Sequence, residues 1–282
     1  MTYNQLYKYA VDTLKKADIQ PCVFDAGQIF KSVFGFDRYK LVLIGEQTPA
    51  EQLQQAFMQT VKRRAGREPL QYLLGEWEFY SLPFKVGEGV LIPRADTEVL
   101  VETALNIIKN RQKPVIADLC SGSGCVAVAI AKNNAKSKVY AAEKSDIAFG
   151  YLTENIKLNS ADNVAAVKAD VLMPDFETEP LDLIVSNPPY IPEAQLAFLQ
   201  PEVKHEPAMA INGGDDGLIF YREIARIYKN RLKPDGWIAF EVGYNQSQQV
   251  MGILAKNGYE NISIAKDING IERVVYACAT GG

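Results

Sequence analysis

From residue 114 onward, short apolar runs alternate with longer amphipathic ones, and this rhythm limits the possible folds more than any single motif. "PVIADLC" (114–120) precedes helical "CVAVAIAKNN" (125–134), and "KVYAAE" (138–143) precedes "DIAFGYLTENIKLN" (146–159). "LDLIVS" (181–186) and "WIAFEV" (237–242) are each followed by further helical stretches. The runs are apolar almost throughout, which is the signature of strands buried on both faces. A strand, helix, strand order with such runs predicts a mostly parallel sheet covered by helices on both sides. The expected fold is therefore a doubly wound, Rossmann-like α/β domain. A composition of 48% hydrophobic and 23% charged residues is that of a globular chain able to build such a core.

The pattern upstream is different. Amphipathic stretches at about 2–17 and 22–34, and "PAEQLQQAFMQTVKRRAG" (49–66), predict a small helical bundle over 1–66. In the last stretch Leu53, Ala56, Phe57, Thr60 and Val61 are the expected inner face, with Pro49 at the helix start and Gly66 at its end. Between 67 and 93, "EWEFYSLPFKVGEGVLIP" mixes aromatic and β-branched residues with Ser81, Pro83, Gly87 and Gly89, which predicts a hairpin linker. Residues 94–282 then form the α/β domain, opening on a helix through Val99, Leu100, Thr103, Ala104, Ile107 and Ile108, with Asp96 as its expected cap.

The chemistry concentrates where strands end. "DLCSGSGC" (118–125) joins the first strand of the domain to its helix, and Gly122 and Gly124 permit a tight turn at a helix N-terminus. The glycine spacing is shorter than a dinucleotide fingerprint, and Glu143 ends the next strand, where a carboxylate accepts both hydroxyls of an unphosphorylated ribose. A nucleoside ligand such as S-adenosylmethionine fits this better than a dinucleotide. "SNPPY" ends the fourth strand of the domain, beside the crevice that open α/β sheets use for ligands. Asn187 offers a carbonyl acceptor, while Pro188 and Pro189 are rigid, lack N–H groups and leave their carbonyls free to accept. Such a loop holds a planar NH2 group on Asn187 Oδ1 and the Pro188 carbonyl, with Tyr190 able to stack on it. Methyl transfer to that nitrogen is the matching chemistry, and positioning is its main requirement.

Other classes are disfavoured. Cys22, Cys120, Cys125 and Cys278 lack disulfide or metal spacing, and with His205 as the one histidine no metal site is expected. Cys120 and Cys125 read as small packed residues and His205 as a loop residue. No apolar run approaches the ~18 residues of a membrane span, and the N-terminus is not signal-like, so a cytoplasmic protein is expected. Residues 1–66 carry nine Lys/Arg against six Asp/Glu, a balance of +3 that leaves −7 of the net −4 on the remainder. That surface does not suit a strong nucleic-acid binder, whose binding domain is normally basic.

Several stretches together carry a resemblance: "REPLQYLLGEWEFYSLPFKV", "VLIPRADTEVLVE", "DLCSGSGCVAVAIA", "VSNPPYI", "PEVKHEPAMAINGGDDGL" and "LKPDGWIAFEVGYNQ". Over 66–276 the sequence resembles the N5-glutamine methyltransferases that modify the Gly-Gly-Gln motif of bacterial peptide chain release factors. The resemblance implies S-adenosylmethionine as cofactor, with S-adenosylhomocysteine as product, held by Cys120, Ser121, Gly122, Ser123, Gly124, Glu143, Val171 and Asn187. It implies that Asn187, Pro188, Pro189 and Tyr190 bind the glutamine, and that Asn187, Pro188 and Tyr190 are catalytic. Release factors are the implied partner, for a monomer that needs neither nucleic acid nor membrane, with 1–66 docking the substrate. Cys120 stands where the family usually has glycine, Glu143 where aspartate is commoner, Val171 where an aromatic often packs on adenine, and Ala95 where proline is commoner. The segment around Arg94, Asp96 and Glu98 would lie over the cofactor. A nucleic-acid adenine N6-methyltransferase uses the same NH2-binding loop and is the alternative, and a non-catalytic nucleoside sensor is a third reading.

Overall fold

The computed structural model describes residues 1–173 and 176–279, so residues 174, 175 and 280–282 of the expected α/β domain, 94–282, lie outside the described residues. Two compact units emerge, one of residues 1–76 with 200–205, the other of 77–199 with 206–282.

The first unit is helical. Helix α1 (Tyr3–Lys16) opens on a capping box in which Thr2 Oγ1 accepts from the Gln5 N–H and Gln5 Oε1 accepts from the Thr2 N–H. Helices α2 (Cys22–Phe34), α3 (Leu41–Ile44), α4 (Glu51–Ala65) and α5 (Leu70–Leu74) follow. Leu6, Ala10 and Leu14 of α1, Ala26, Ile29 and Phe30 of α2, and Phe57 and Val61 of α4 are buried. The α4 face differs from the expected one, because Leu53 is 40% exposed and Ala56 is exposed, while Arg64 turns inward. A buried pair explains this: Arg64 Nε donates to Asp25 at 2.7 Å and Nη1 to Glu202 at 3.1 Å, so the inner stripe of α4 is Phe57, Val61 and Arg64. The capping residue of α4 is Ala50, with Pro49 one place earlier. Helix α5 carries this unit beyond residue 66, the expected end of the bundle.

The second unit begins with strands β1 (Glu76–Phe79) and β2 (Leu82–Lys85), the expected hairpin. Its two turn residues, Tyr80 (φ 51°) and Ser81 (φ 59°), lie in the left-handed region that such a turn demands, although neither is glycine. Helix α6 (Glu98–Ile108) compensates through Glu98 Oε1, which accepts from the Tyr80 N–H at 2.9 Å. Next come β3 (Val115–Leu119), α7 (Cys125–Asn133), β4 (Lys138–Glu143), α8 (Asp146–Leu158), β5 (Val164–Lys168) and β6 (Leu181–Ser186). The short α9 (Ala208–Ile211), α10 (Ile219–Ile227), β7 (Leu232–Glu241), α11 (Ser247–Lys256), β8 (Tyr259–Lys266) and β9 (Glu272–Ala279) complete it.

Among the described residues the strands form a seven-stranded sheet in the order β5-β4-β3-β6-β7-β9-β8, parallel except where β9 pairs antiparallel with β7 and β8. Side chains alternate across it: Val115, Ala117 and Leu119 of β3 join one core with α10 and α11, and Ile116 joins the other with α6 and α7. Both faces are covered, as a parallel sheet requires.

Helix α8 ties the hairpin to the sheet through two buried amides. Fully buried Asn155 accepts from the Lys85 N–H at 2.6 Å and donates to the carbonyls of Lys85 at 3.0 Å and Ser123 at 2.9 Å. Asn159 donates to the Pro83 carbonyl at 2.9 Å. Asn155→Ala removes three hydrogen bonds made by a fully buried amide, so it is expected to destabilise the protein by about 2–4 kcal/mol. Urea titration should show a lower midpoint at an unchanged slope; an unchanged midpoint would remove Asn155 from this role.

Candidate functional site

Strand β3 neighbours β4 on one side and β6 on the other, so the sheet order reverses there and a crevice opens beyond its carboxyl end. Leu119 pairs with Ser186 across β3 and β6, and the Ser186 hydroxyl donates to the Leu119 carbonyl at 2.5 Å. The next residues, Cys120 and Asn187, therefore leave the sheet side by side.

The turn after β3 alternates through left-handed backbone at Cys120 (φ 63°), Gly122 (φ 55°) and Gly124 (φ 80°). Cys120 occupies a conformation that favours glycine. Gly124 is needed for space as well, since a Cβ on it would lie 2.4 Å from Leu152 Cδ1. Asp118 anchors the turn from below: Oδ2 accepts from the Ser121 hydroxyl at 2.5 Å and from the Ala127 N–H at 3.2 Å. Burial nonetheless pushes its carboxyl up to about 7, opposed by those two bonds. Glu143, 9% exposed, accepts from the Gly122 N–H at 2.8 Å through Oε2 and from the Ser145 N–H at 2.7 Å through Oε1. Each oxygen keeps acceptor capacity.

A cavity beyond these strand ends is lined by Glu143, Val171, Leu172, Asn187, Pro189 and Phe220, with Cys120 and Met209 among its other walls. A smaller one is lined by Pro93, Arg94, Thr97, Ser121, Ser123 and Asn187, with Asp118 and Cys120 in its floor. Cys120, Leu91 and Asn187 belong to both linings, so Asn187 sits where the two spaces meet.

The loop after β6 is held from behind by close backbone approach. A Cβ on Gly217 (φ 75°) would lie 2.3 Å from the Tyr190 carbonyl oxygen, and one on Gly213 would lie 2.8 Å from Tyr190 Cα. This explains two of the three glycines of "NGGDDGL", Gly213 and Gly217. Gln246 Nε2 donates to the Tyr190 carbonyl at 3.0 Å, while its Oε1 accepts from the Gly243 N–H at 3.0 Å. The Ile191 N–H donates to the Ile211 carbonyl and the Gly213 N–H to the Ile191 carbonyl, both at 2.9 Å. The Asn187 Nδ2 group donates to Thr97 Oγ1 at 3.2 Å, which leaves Oδ1 as the free end of the amide.

The segment before α6 borders the smaller cavity. Glu206 holds it, accepting from the Ile92 N–H at 3.1 Å and from the Arg94 guanidinium; burial raises the Glu206 carboxyl, against the pull of Arg94. Asp96 does not cap α6. A short 3-10 turn (Ala95–Thr97) precedes that helix, and Asp96 Oδ2 instead pairs with Arg273 of β9 at 2.8 Å. A charged partner on a neighbouring strand outcompetes the helix amides for this carboxylate.

Of the sequence-derived candidates, Cys120, Glu143, Val171, Asn187 and Pro189 line the main cavity, and Cys120, Ser121, Ser123 and Asn187 the smaller one. Gly122 and Gly124 shape the turn, while buried Pro188 and half-buried Tyr190 lie outside both linings. Val171 is 4% exposed and packs in the same core cluster as Phe176, with Phe220 supplying an aromatic wall elsewhere in the cavity. Burial pushes the Cys120 thiol far up and the Cys125 thiol up to about 12, so neither is a ready nucleophile. Sequence reasoning missed Thr97, Glu206, Phe220 and Glu241. Thr97, Glu206 and Glu241 lay inside quoted motifs, but only Glu241, a charged residue in the apolar run "WIAFEV", carried a local signal.

Known proteins resemble the chain along nearly its full length. The family described as "PrmC N-terminal domain" matches residues 5–75, and "Methyltransferase small domain" matches 95–206. A release factor glutamine methyltransferase of Fusobacterium nucleatum is 40% identical over 96% of this chain and 77% of its own length. The protein of that name from Geobacter sulfurreducens is 41% identical over 97% of this chain and 95% of its own. Among solved structures, the hMettl16 catalytic domain in complex with the MAT2A 3′UTR hairpin 6 superposes with a TM-score of 0.60 at 16% identity, covering 79% of this chain and 82% of that one. That likeness is one of fold.

The elevated Asp118 carboxyl has a measurable consequence. Between the unfolded carboxyl range, about 4, and the folded value the native state keeps a proton that the unfolded chain has lost, so this group's contribution falls as pH rises. Asp118→Asn should therefore show a stability less steeply reduced between pH 5 and pH 8 than the parent, read from urea midpoints. Parallel pH profiles would place Asp118 among ordinary carboxylates.

Proposed function

The chain belongs to the release factor glutamine methyltransferases, and from that membership we propose how its own residues carry the reaction. The enzyme methylates the side-chain amide nitrogen of a release factor glutamine and takes the methyl from S-adenosylmethionine. Adenine in nucleic acid, the alternative acceptor, is not favoured. The observation that carries the site assignment is the position of Asn187, common to both cavities, with its amide nitrogen already engaged and its carbonyl free.

S-Adenosylmethionine, when bound, supplies a methyl group activated by a positive sulfur. Glu143 suits its ribose, because both carboxylate oxygens are buried beside the cavity and each retains acceptor capacity after taking one loop amide. Val171 and Phe220 offer apolar walls for the base, and the Cys120-Ser121-Gly122-Ser123-Gly124 turn borders the space for the amino-acid end. Asn187 Oδ1 and the Pro188 carbonyl accept the two hydrogens of the glutamine amide. Among the described residues that Pro188 carbonyl accepts no hydrogen bond. Pro189 keeps the loop rigid. An amide nitrogen is a poor nucleophile, so fixing both of its hydrogens gives rate by orientation, worth several orders of magnitude when the geometry is right.

In the same reading the protein acts as a cytoplasmic monomer without need of nucleic acid, and the N-terminal helical unit docks the release factor. A separate core and a +3 charge on residues 1–66 support an independent docking role. No described helix is long and apolar enough to cross a membrane.

Incubation with methyl-labelled S-adenosylmethionine and purified release factors, followed by mass spectrometry, should place the label on the glutamine of the Gly-Gly-Gln motif; label on DNA adenine with release factor untouched would overturn the reading. Asn187→Ala should lower kcat by about a hundredfold or more while cofactor affinity changes little, the mark of an interaction used in the reaction rather than in binding. Glu143→Ala should instead weaken cofactor binding by about 1–3 kcal/mol in calorimetry. An unaltered dissociation constant would take Glu143 out of the site.

A further inference from the structure

Tyr190 closes the N-P-P-Y loop, and it sits in a socket of glycines. Cβ atoms on Gly213, Gly217 and Gly243 would lie 2.8 Å from Tyr190 Cα, 2.3 Å from its carbonyl oxygen and 3.0 Å from its Cδ2. One side chain reaches into this socket. Gln246, 9% exposed, stands at the start of α11, and its amide spans from the turn after β7 to the loop after β6.

The direction of that amide is set by its partners. The Gly243 N–H can only donate and the Tyr190 carbonyl can only accept, so Oε1 takes the first and Nε2 gives to the second, both at 3.0 Å. A flipped amide would lose both bonds. The backbone of Gln246 is fixed as well, since its N–H donates to the Gly243 carbonyl and its carbonyl accepts from the Val250 N–H, both at 3.0 Å. Gly217 and Gly243 leave room for the amide, because Cβ atoms there would lie 2.8 Å from Nε2 and 2.6 Å from Oε1.

The loop needs such a tie because it makes few of its own. Pro188 and Pro189 have no N–H to donate, while their fixed φ angles stiffen the chain between Asn187 and Tyr190. A stiff segment is aimed by its two ends. Asn187 is held at the close of β6, with Nδ2 donating to Thr97 Oγ1 at 3.2 Å. At the other end the Tyr190–Ile191 peptide is held on both edges, its N–H by the Ile211 carbonyl and its C=O by Gln246. With one of those bonds gone the peptide could rock about the other, and the stiff prolines would pass that motion to the Pro188 carbonyl. We propose that Gln246 is a positioning residue for methyl transfer: through the Tyr190 carbonyl it fixes the N-P-P-Y loop so that the Pro188 carbonyl and Asn187 Oδ1 point together at the glutamine amide. Gln246 lies outside both cavity linings and acts without touching either reactant. The inference rests on the reading of Asn187 and Pro188 as the acceptor-binding pair.

Gln246→Met keeps the length and removes both bonds. Gln246→Glu still accepts from the Gly243 N–H, but its charged form sets lone pairs against the Tyr190 carbonyl, and only its protonated form has a hydrogen to give there. Burial beside a carbonyl disfavours the charge, so the introduced carboxyl titrates above its ordinary value of about 4.3. Each variant is assayed beside the parent on intact release factor from about pH 6 to pH 9, with cofactor affinity from calorimetry and thermal unfolding as a check on folding. Gln246→Met is expected to lose about ten- to a hundredfold in kcat at a cofactor dissociation constant within about threefold of the parent. For Gln246→Glu the ratio of its kcat to the parent's should be lowest at the alkaline end and rise as pH falls, because protonation restores the missing donor. A role in folding alone would lower thermal stability and cofactor affinity together and leave that ratio flat. Parental kcat for Gln246→Met overturns the inference, as does a loss matched in cofactor affinity or a flat ratio for Gln246→Glu. Should Gln246→Met not fold, Gln246→Glu decides: a ratio that rises as pH falls supports the inference, and a flat one overturns it. Asn187→Ala separates the two levels. If that variant turns over normally, the acceptor reading itself fails; if it is inactive while both Gln246 variants are unimpaired, only the positioning role fails.

Discussion

Two parallel strands end level with one another, and the site follows from that register. Leu119 of β3 faces Ser186 of β6, so the glycine-rich turn and the N-P-P-Y loop start from adjacent strands, which lie about 4.8 Å apart in any sheet. One loop shapes space for a nucleoside and the other presents an amide acceptor. A shift of register by one residue would move Asn187 along the strand axis and turn its side chain to the opposite face. The reaction needs two groups brought together with little freedom, and the sheet supplies that alignment before any ligand enters.

Holding the loops in place requires polar groups where the core is otherwise apolar. Asp118, Glu143, Asn155, Glu206 and Glu241 are all buried around the carboxyl end of the sheet. Most are satisfied by backbone N–H groups of the loops they support: Asp118 by Ala127, Glu143 by Gly122 and Ser145, and Glu206 by Ile92. Such groups stabilise little in net terms, but the loss of one leaves several partners unpaired. Burial raises the Asp118 and Glu241 carboxyls to about 7, because the apolar surroundings disfavour their charged forms. Sites of this kind commonly trade stability for geometry.

The expectations that failed did so where tertiary partners overrode a local pattern. Periodicity placed Leu53 and Ala56 on the inner face of α4, but the buried Arg64–Asp25 pair turned that face toward Phe57, Val61 and Arg64. Local capping rules favoured Asp96 as the first anchor of α6, but Arg273, far along the chain, took its carboxylate. The hairpin itself formed as expected, with Tyr80 and Ser81 in left-handed backbone at its turn and Glu98 accepting from the Tyr80 N–H. In both failures the deciding group is distant in sequence, and no window of neighbouring residues contains it.

By itself the sequence determined the doubly wound α/β fold, the glycine turn and the N-P-P-Y loop, because strand burial, helix periodicity and turn chemistry are local properties written within a few residues. It also determined which side chains could accept ribose hydroxyls and amide hydrogens, since that depends on functional groups alone. The tertiary structure decided which of those groups face the same space, that Gly213 and Gly217 back the N-P-P-Y loop, and that Thr97 fixes the free end of Asn187. The physical reason is that hydrogen-bond direction and close backbone contact depend on partners brought together by strand order. Thr97 and Asn187 meet only because the segment before α6 comes to the end of strand β6, 90 residues further along the chain.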